Sequence, residues 1–328
     1  MAAVITRSNH PDALWPGVLK WFGLSYDEFP DIYPQLFDEI EGELATERLI
    51  EATGFGLART KGESAPISYD ADGEGYATLA TPSVLALGYQ VTREEMEDGL
   101  YTEVSLPRSE SLAFSMHTTI ELVHANFFIN AFSSSYPYGD GQPVCSASHP
   151  TKSGNQSNLP TANADFSEAS LEDMIKRVYL TQNSRGLPIS LRPRKLVVSA
   201  ADMFNTTRVL ESQLRTNTPN NDINAVKQMG LIPEGAVVNP YFGVETTQAW
   251  FMLTSIAKDK GLVSIWRRYP ELEKDNDFDT ENLKAKTTSR FVVSVGDWRA
   301  LFGTPGVQTL VILPNDRRSS AQRHLSRS

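Results

Sequence analysis

The residues of this chain whose types and spacing could do chemistry are few, and the first pair is Cys145 and His149. They flank Ser146-Ala147-Ser148, which puts a thiol and an imidazole four residues apart on a polar stretch. A nucleophile and its base could pair in that way. Such partners usually come from distant parts of a chain, however, and no carboxylate stands out to orient the imidazole. A buried thiol beside a His-Pro turn is the favoured reading. His117 and His124 lie seven apart and share one face of a helix. Two turns separate them by about 10 Å, too far to ligate one metal ion without an intermediate ligand. Glu121 stands between them and completes a His-Glu-His row, although a hydrogen-bonded polar stripe along a packed helix is the simpler account.

Two acidic clusters and a lone lysine carry little. Glu39, Glu41 and Glu43 read as solvated surface. Asp275, Asp277 and Asp279 have the opening spacing of a calcium loop, but no glycine stands at the sixth position and no glutamate closes it. Lys61 reads as an ordinary solvated lysine. The chain has no Gly-x-x-x-x-Gly-Lys, no dinucleotide fingerprint after a strand, no Gly-x-Ser-x-Gly elbow and no His-Glu-x-x-His. The expectation is therefore a protein that is not an enzyme. No residue is assigned a catalytic, cofactor-binding or metal-ligating role, and no cofactor is expected.

These residues sit on a chain of ordinary composition. Its 328 residues predict about two domains or one elaborate one, and 40% hydrophobic with 21% charged residues is usual for a globular protein. The net charge of −10 argues against a surface built to grip nucleic acid. It does not argue against a container for nucleic acid, whose wall gains nothing by adhering to its contents. The single cysteine rules out an intrachain disulfide and a Cys-based zinc cluster. The first residues hold too short an apolar run for a signal peptide, and no stretch approaches the roughly 20 residues of a membrane helix. A soluble protein made in a reducing cytoplasm is expected.

The elements that must position these residues follow from pattern. Residues 1–53 read as an arm, irregular at first and then an acidic helix, crowded with Trp15, Trp21, Phe22, Tyr26, Phe29, Tyr33 and Phe37 and broken by prolines. So many aromatic anchors imply that the arm lies across another surface. Residues 54–90 alternate glycines with short β-prone pieces and predict a long two-stranded hairpin, its tip near 60–75. A lone hairpin of that length needs a partner to rest on. From Thr92 acidic residues open a helix. After an expected break or kink at Pro107, Leu112, Met116, Ile120, Val123, Phe127 and Ala131 recur every three or four residues as a buried stripe. A polar loop over 133–165 leads to a second helix, expected to be capped by Ser170 with Asp173 in the capping box and Leu171, Met174, Ile175 and Val178 inside. A buried strand at 195–199, a helix through Met203, Val209 and Leu210, and strands near 235–239, 249–254, 261–266 and 289–295 complete the chain. The basic tail after Pro314 is expected to be disordered.

This order resembles the Hong Kong 97 fold, an α+β architecture shared by tailed-phage capsid proteins and encapsulins. The hairpin resembles that family's extended E-loop, and the helix around 108–132 its spine helix. Gly88-Tyr89-Gln90-Val91-Thr92-Arg93-Glu94-Glu95-Met96-Glu97-Asp98-Gly99-Leu100-Tyr101 is similar to the hairpin-to-spine junction of Mu-type major head subunits. Asn130-Ala131-Phe132, Gly139-Asp140-Gly141-Gln142-Pro143 and Ser148-His149-Pro150 are similar to their post-spine loop, and Leu196-Val197-Val198-Ser199 resembles the approach to their axial domain.

The resemblance implies an N-terminal arm (1–53), an E-loop hairpin (54–90), a peripheral domain with the spine helix (91–187), an axial domain (188–260), return strands (261–314) and a disordered tail (315–328). It implies a major capsid protein that assembles with itself, as hexamers and pentamers, into an icosahedral shell around phage DNA. A portal would be a further partner, as would scaffold, protease or decoration proteins where the phage encodes them. Packaged DNA would touch the inner face non-specifically, with no membrane involved. The virion capsid would be its location, after assembly in the host cytoplasm. An encapsulin-type nanocompartment with a protein guest is the alternative, and a Cys/His hydrolase a distant one.

Overall fold

Two four-stranded sheets and one long helix position everything else. The structure, a computed structural model, describes Phe22, Tyr26 and residues 30–64, 66–97, 101–214, 223–242, 248–258, 260–276 and 282–307. The strands are β1 (Asp38–Glu41), β2 (Glu47–Ala52), β3 (Glu74–Ala80), β4 (Ser83–Val91), β5 (His149–Thr151), β6 (Gly154–Gln156), β7 (Pro193–Ser199), β8 (Ala236–Asn239), β9 (Trp250–Thr254), β10 (Leu262–Asn276), β11 (Leu283–Val295) and β12 (Leu301–Thr304). The helices are α1 (Arg93–Glu97), α2 (Tyr101–Ile129), α3 (Glu168–Tyr179), α4 (Met203–Glu211) and α5 (Ala225–Gln228).

The first sheet runs β1-β10-β11-β4, around the long antiparallel ribbon of β10 and β11. The second runs β12-β9-β7-β8. The second sheet is a wall between two cores, and the period-2 geometry of strands shows how. Trp250 and Met252 of β9, Leu196 and Val198 of β7, and Phe302 of β12 face Leu171, Met174, Ile175 and Val178 of α3. The alternate residues Phe251, Leu253, Val197 and Leu301 join the core that holds Met116, Ile120 and Phe128 of α2. Strands covered on both faces have no polar side, which is why β7 and β9 read as continuous apolar runs.

The α3 face is the one its spacing predicts, with all four expected residues buried. The cap is three residues earlier than expected. Ser167 is the N-cap, and Ser170 is the N3 partner whose hydroxyl accepts from the Ser167 amide at 2.9 Å. A serine serves at N3 here in place of an acid.

Other expectations are corrected. The acidic segment before Ala52 forms no α-helix among the described residues. Tyr33–Gln35 is a single 3-10 turn containing Pro34, after which β1 and β2 are strands. Glu39 and Glu41 alternate with Ile40, a period of two that suits β1 lying parallel beside β10. The hairpin's paired strands are β2 and β3, so its base begins at Glu47 and not after residue 54. The stretch between them, residues 53–73, forms no strand among its described residues. β4 leaves the hairpin and pairs instead with β11. The spine helix is not interrupted at Pro107: α2 runs through it, so the helix tolerates the one backbone bond that proline removes. β12 was not anticipated. The tail at 315–328 lies outside the described residues, as do nearly all residues of the arm's first half.

Candidate functional site: the hairpin, its anchor and the polar residues of the spine

The hairpin leaves large apolar side chains uncovered. In its tip, Phe55, Leu57, Ile67 and Tyr69 are 61%, 79%, 65% and 94% exposed. Grouped large apolar side chains without cover mark a surface that meets another molecule. The tip is tied back at one point. Arg185 Nη1 lies 2.6 Å from Asp70 Oδ2, which also accepts from the Gly56 amide at 2.7 Å. The Gly56 amide first, and Arg185 with it, hold the Asp70 carboxyl below the usual carboxylate range. Lys61, in the same tip, is exposed.

The base is anchored far more firmly. The β2–β3 register slips between Ile50 and Ala52: Glu51 alone lies opposite Gly75 and Tyr76, so the bulge is in β3. A Cβ on Gly75 would lie 2.8 Å from the Glu51 carbonyl oxygen, so only glycine lets the bulged β3 approach β2 so closely. Glu51 turns inward and meets Arg299 Nη1 at 2.7 Å, both groups almost fully buried. Arg299 Nε donates to the Gln182 carbonyl at 2.9 Å, and its guanidinium stacks over Trp298 at 4.3 Å. Ser184 donates to the same Glu51 oxygen at 3.1 Å. One buried cation therefore joins the hairpin base, the loop after α3 and the β11–β12 turn.

Cys145 is buried, and burial pushes its thiol far above the ordinary range, so it is a poor nucleophile. His149 has the carboxylate that sequence reading did not find: its Nδ1 lies 2.7 Å from Asp140 Oδ2, both side chains fully buried, and its ring stacks on Trp298 at 4.3 Å. Asp140 is nine residues away, near enough to have been noticed. Among the described residues no hydrogen bond joins Cys145 to His149. The thiol is buried, as the favoured reading has it, and Cys145 and His149 are two separate packing features.

The spine histidines also part company. His124 Nδ1 lies 2.8 Å from the Ile120 carbonyl and Nε2 2.9 Å from Ser264 Oγ. The carbonyl can only accept, so Nδ1 carries the proton and Nε2 accepts from the serine. His124 stacks between Tyr33 at 4.3 Å and Phe291 at 5.2 Å, and burial lowers it to about 4. His117 and Glu121 are brought together instead with Asp31, from the arm. Of the acidic clusters, Glu39, Glu41 and Glu43 are exposed as expected, whereas Asp277 and Asp279 lie outside the described residues. Sequence reading missed Asp31, Glu51, Asp140 and Arg299.

The architecture is that of known shells. The chain resembles the procapsid subunit of bacteriophage JBD30, at 13% identity over 94% of this chain and 78% of that one, with a TM-score of 0.50. It resembles the virus-like particle of Pyrococcus furiosus at 11% identity, covering 88% of this chain and 97% of that one, TM-score 0.50. It also resembles the SrpI encapsulin of Synechococcus elongatus PCC 7942 at 12% identity, covering 88% and 91%, TM-score 0.51. None of the curated proteins matches the sequence. The fold is thus α+β and Hong Kong 97-like, the class of phage capsid and encapsulin subunits. A family model described as phage capsid protein matches residues 75–303, well over half the chain. The chain belongs to that phage capsid protein family. Among the described residues no helix is long and apolar enough to cross a membrane.

Proposed function

We propose that this chain is the major head subunit of a tailed phage, that it assembles with copies of itself as hexamers and pentamers into an icosahedral shell around DNA, and that it catalyses no reaction. The observation that carries the reading is the hairpin: a firmly anchored base holding out a tip whose large apolar side chains stay exposed among the described residues. A second copy is the natural cover, because a shell repeats each contact at every position and can hold each subunit through many modest interfaces. In such a subunit residues 91–187 would form the peripheral domain and residues 188–260 the axial domain. The net charge of −10 suits a wall that does not hold its contents tightly. The encapsulin-type reading predicts a similar shell with a protein guest, and the phage capsid family match favours DNA.

The test is to replace residues 60–69 by Asn-Gly, which spares Glu51, Asp70 and both paired strands. The variant should stay folded, with a melting temperature close to that of the parent, while light scattering and electron microscopy show no stable closed shells. Normal shells from the variant, or a parent that stays monomeric under all salt and concentration conditions, would overturn the proposal.

A further inference from the structure

His117 and Glu121 stand one turn apart on α2, so both project from the same helix face. The Ile32 and Tyr33 amides donate to Glu121 Oε1 at 2.6 and 3.3 Å. That grip carries the preceding residue to the helix as well, and Asp31 Oδ1 comes to 2.9 Å from His117 Nε2. One donor atom from each of Asp31, His117 and Glu121 lies within 4.8 Å of the other two.

We propose that Asp31, His117 and Glu121 bind a divalent transition-metal ion of the Zn2+ type, which ties the arm to the spine helix. One imidazole and two carboxylates form a donor set such ions accept. Metal–ligand bonds of about 2.0–2.2 Å put neighbouring donors roughly 3.0–3.6 Å apart. The His117–Asp31 separation is already close to that edge length.

Charge points the same way. Glu121 is only 1% exposed, and among the described residues no lysine or arginine forms a salt bridge with it or with Asp31. Both amide bonds fall on Oε1, so Oε2 makes no hydrogen bond among the described residues. A buried carboxylate with spare acceptor capacity and no lysine or arginine beside it is costly. A bound cation would remove that cost. Asp31, with a 40% exposed side chain, leaves a path for the ion and room for water to complete its coordination. His124 takes no part, since both its nitrogens are committed to Ile120 and Ser264. The metal row conceived along the helix is completed from the arm instead.

The experiment uses the full chain, stripped with a chelator, dialysed and titrated with ZnCl2 by calorimetry, with Co2+ as a visible-absorption reporter. One ion per chain should bind, with Kd below about 10 µM. Asp31→Asn should weaken binding at least about tenfold, and His117→Gln should abolish the Co2+ ligand-field bands, with circular dichroism confirming both folds. Because Asp31 is exposed, Asp31→Asn decides the matter if His117→Gln fails to fold. No heat at about 100 µM Zn2+, or wild-type affinity in the Asp31→Asn variant, would overturn the proposal. Binding is read whether or not shells form, so this test is independent of the assembly test.

Discussion

A buried histidine that stays neutral makes the fold sensitive to acid. His124 titrates near 4 in the folded chain, below its ordinary 6.5, because its site is desolvated. As pH falls, the unfolded chain therefore takes up the proton first. Stability should be constant above about pH 6.5 and fall between 6.5 and 4, by on the order of 3 kcal/mol at pH 4. Urea unfolding from pH 7.5 to 4.5 should show this slope in the wild type and a shallower one, by one proton, in His124→Gln. An equal slope in the variant would assign the acid sensitivity to other groups. At this scale the sequence was partly legible. The His-Glu-His row was visible because α2 has a fixed period, and its reading as a bonded stripe suits His124. The partners were not visible, since Ser264 is 140 residues away and no local pattern encodes such a meeting.

Elements whose faces repeat with a single period were read well, and elements defined by pairing were not. The α3 stripe and the apolar runs of β7 and β9 are properties of the segment itself. The hairpin's register depends on where β2 meets β3 and on β11 claiming β4, and neither partner is marked locally. The same holds for the Glu51–Arg299 pair, which joins residues 248 apart. Its importance can be measured. Glu51→Ala leaves a buried guanidinium whose remaining acidic partner among the described residues is Asp297 at 3.3 Å. The loss should be about 3–5 kcal/mol, seen as a lower melting temperature and faster proteolysis within residues 53–73. Replacing both residues by apolar side chains of similar volume should recover much of that loss. A single variant as stable as the parent would mean that the bulge, and not the ion pair, sets the hairpin.

For the whole molecule, the order of elements was enough to place the fold although several boundaries moved, because the order is fixed by a few long periodic segments. The overall charge yields a prediction of its own. Subunits that each carry −10 repel one another as they gather. Salt shortens the screening length from about 10 Å at 0.1 M to about 3 Å at 1 M, so shell yield by light scattering should rise across that range. A falling yield would show that ion pairs between subunits outweigh the repulsion. Once subunits are joined, the pairing of β4 with β11 takes on a mechanical role. Nine residue pairs, from Ser83 with Phe291 to Val91 with Leu283, tie the strand leaving the hairpin to the centre of the first sheet. A pull along the axis of β4 loads those pairs together in shear rather than peeling them singly. If the hairpin joins neighbours as proposed, such a strap would pass tensile load into the subunit's own sheet, and a thin wall of separate parts would resist bursting under pressure from within.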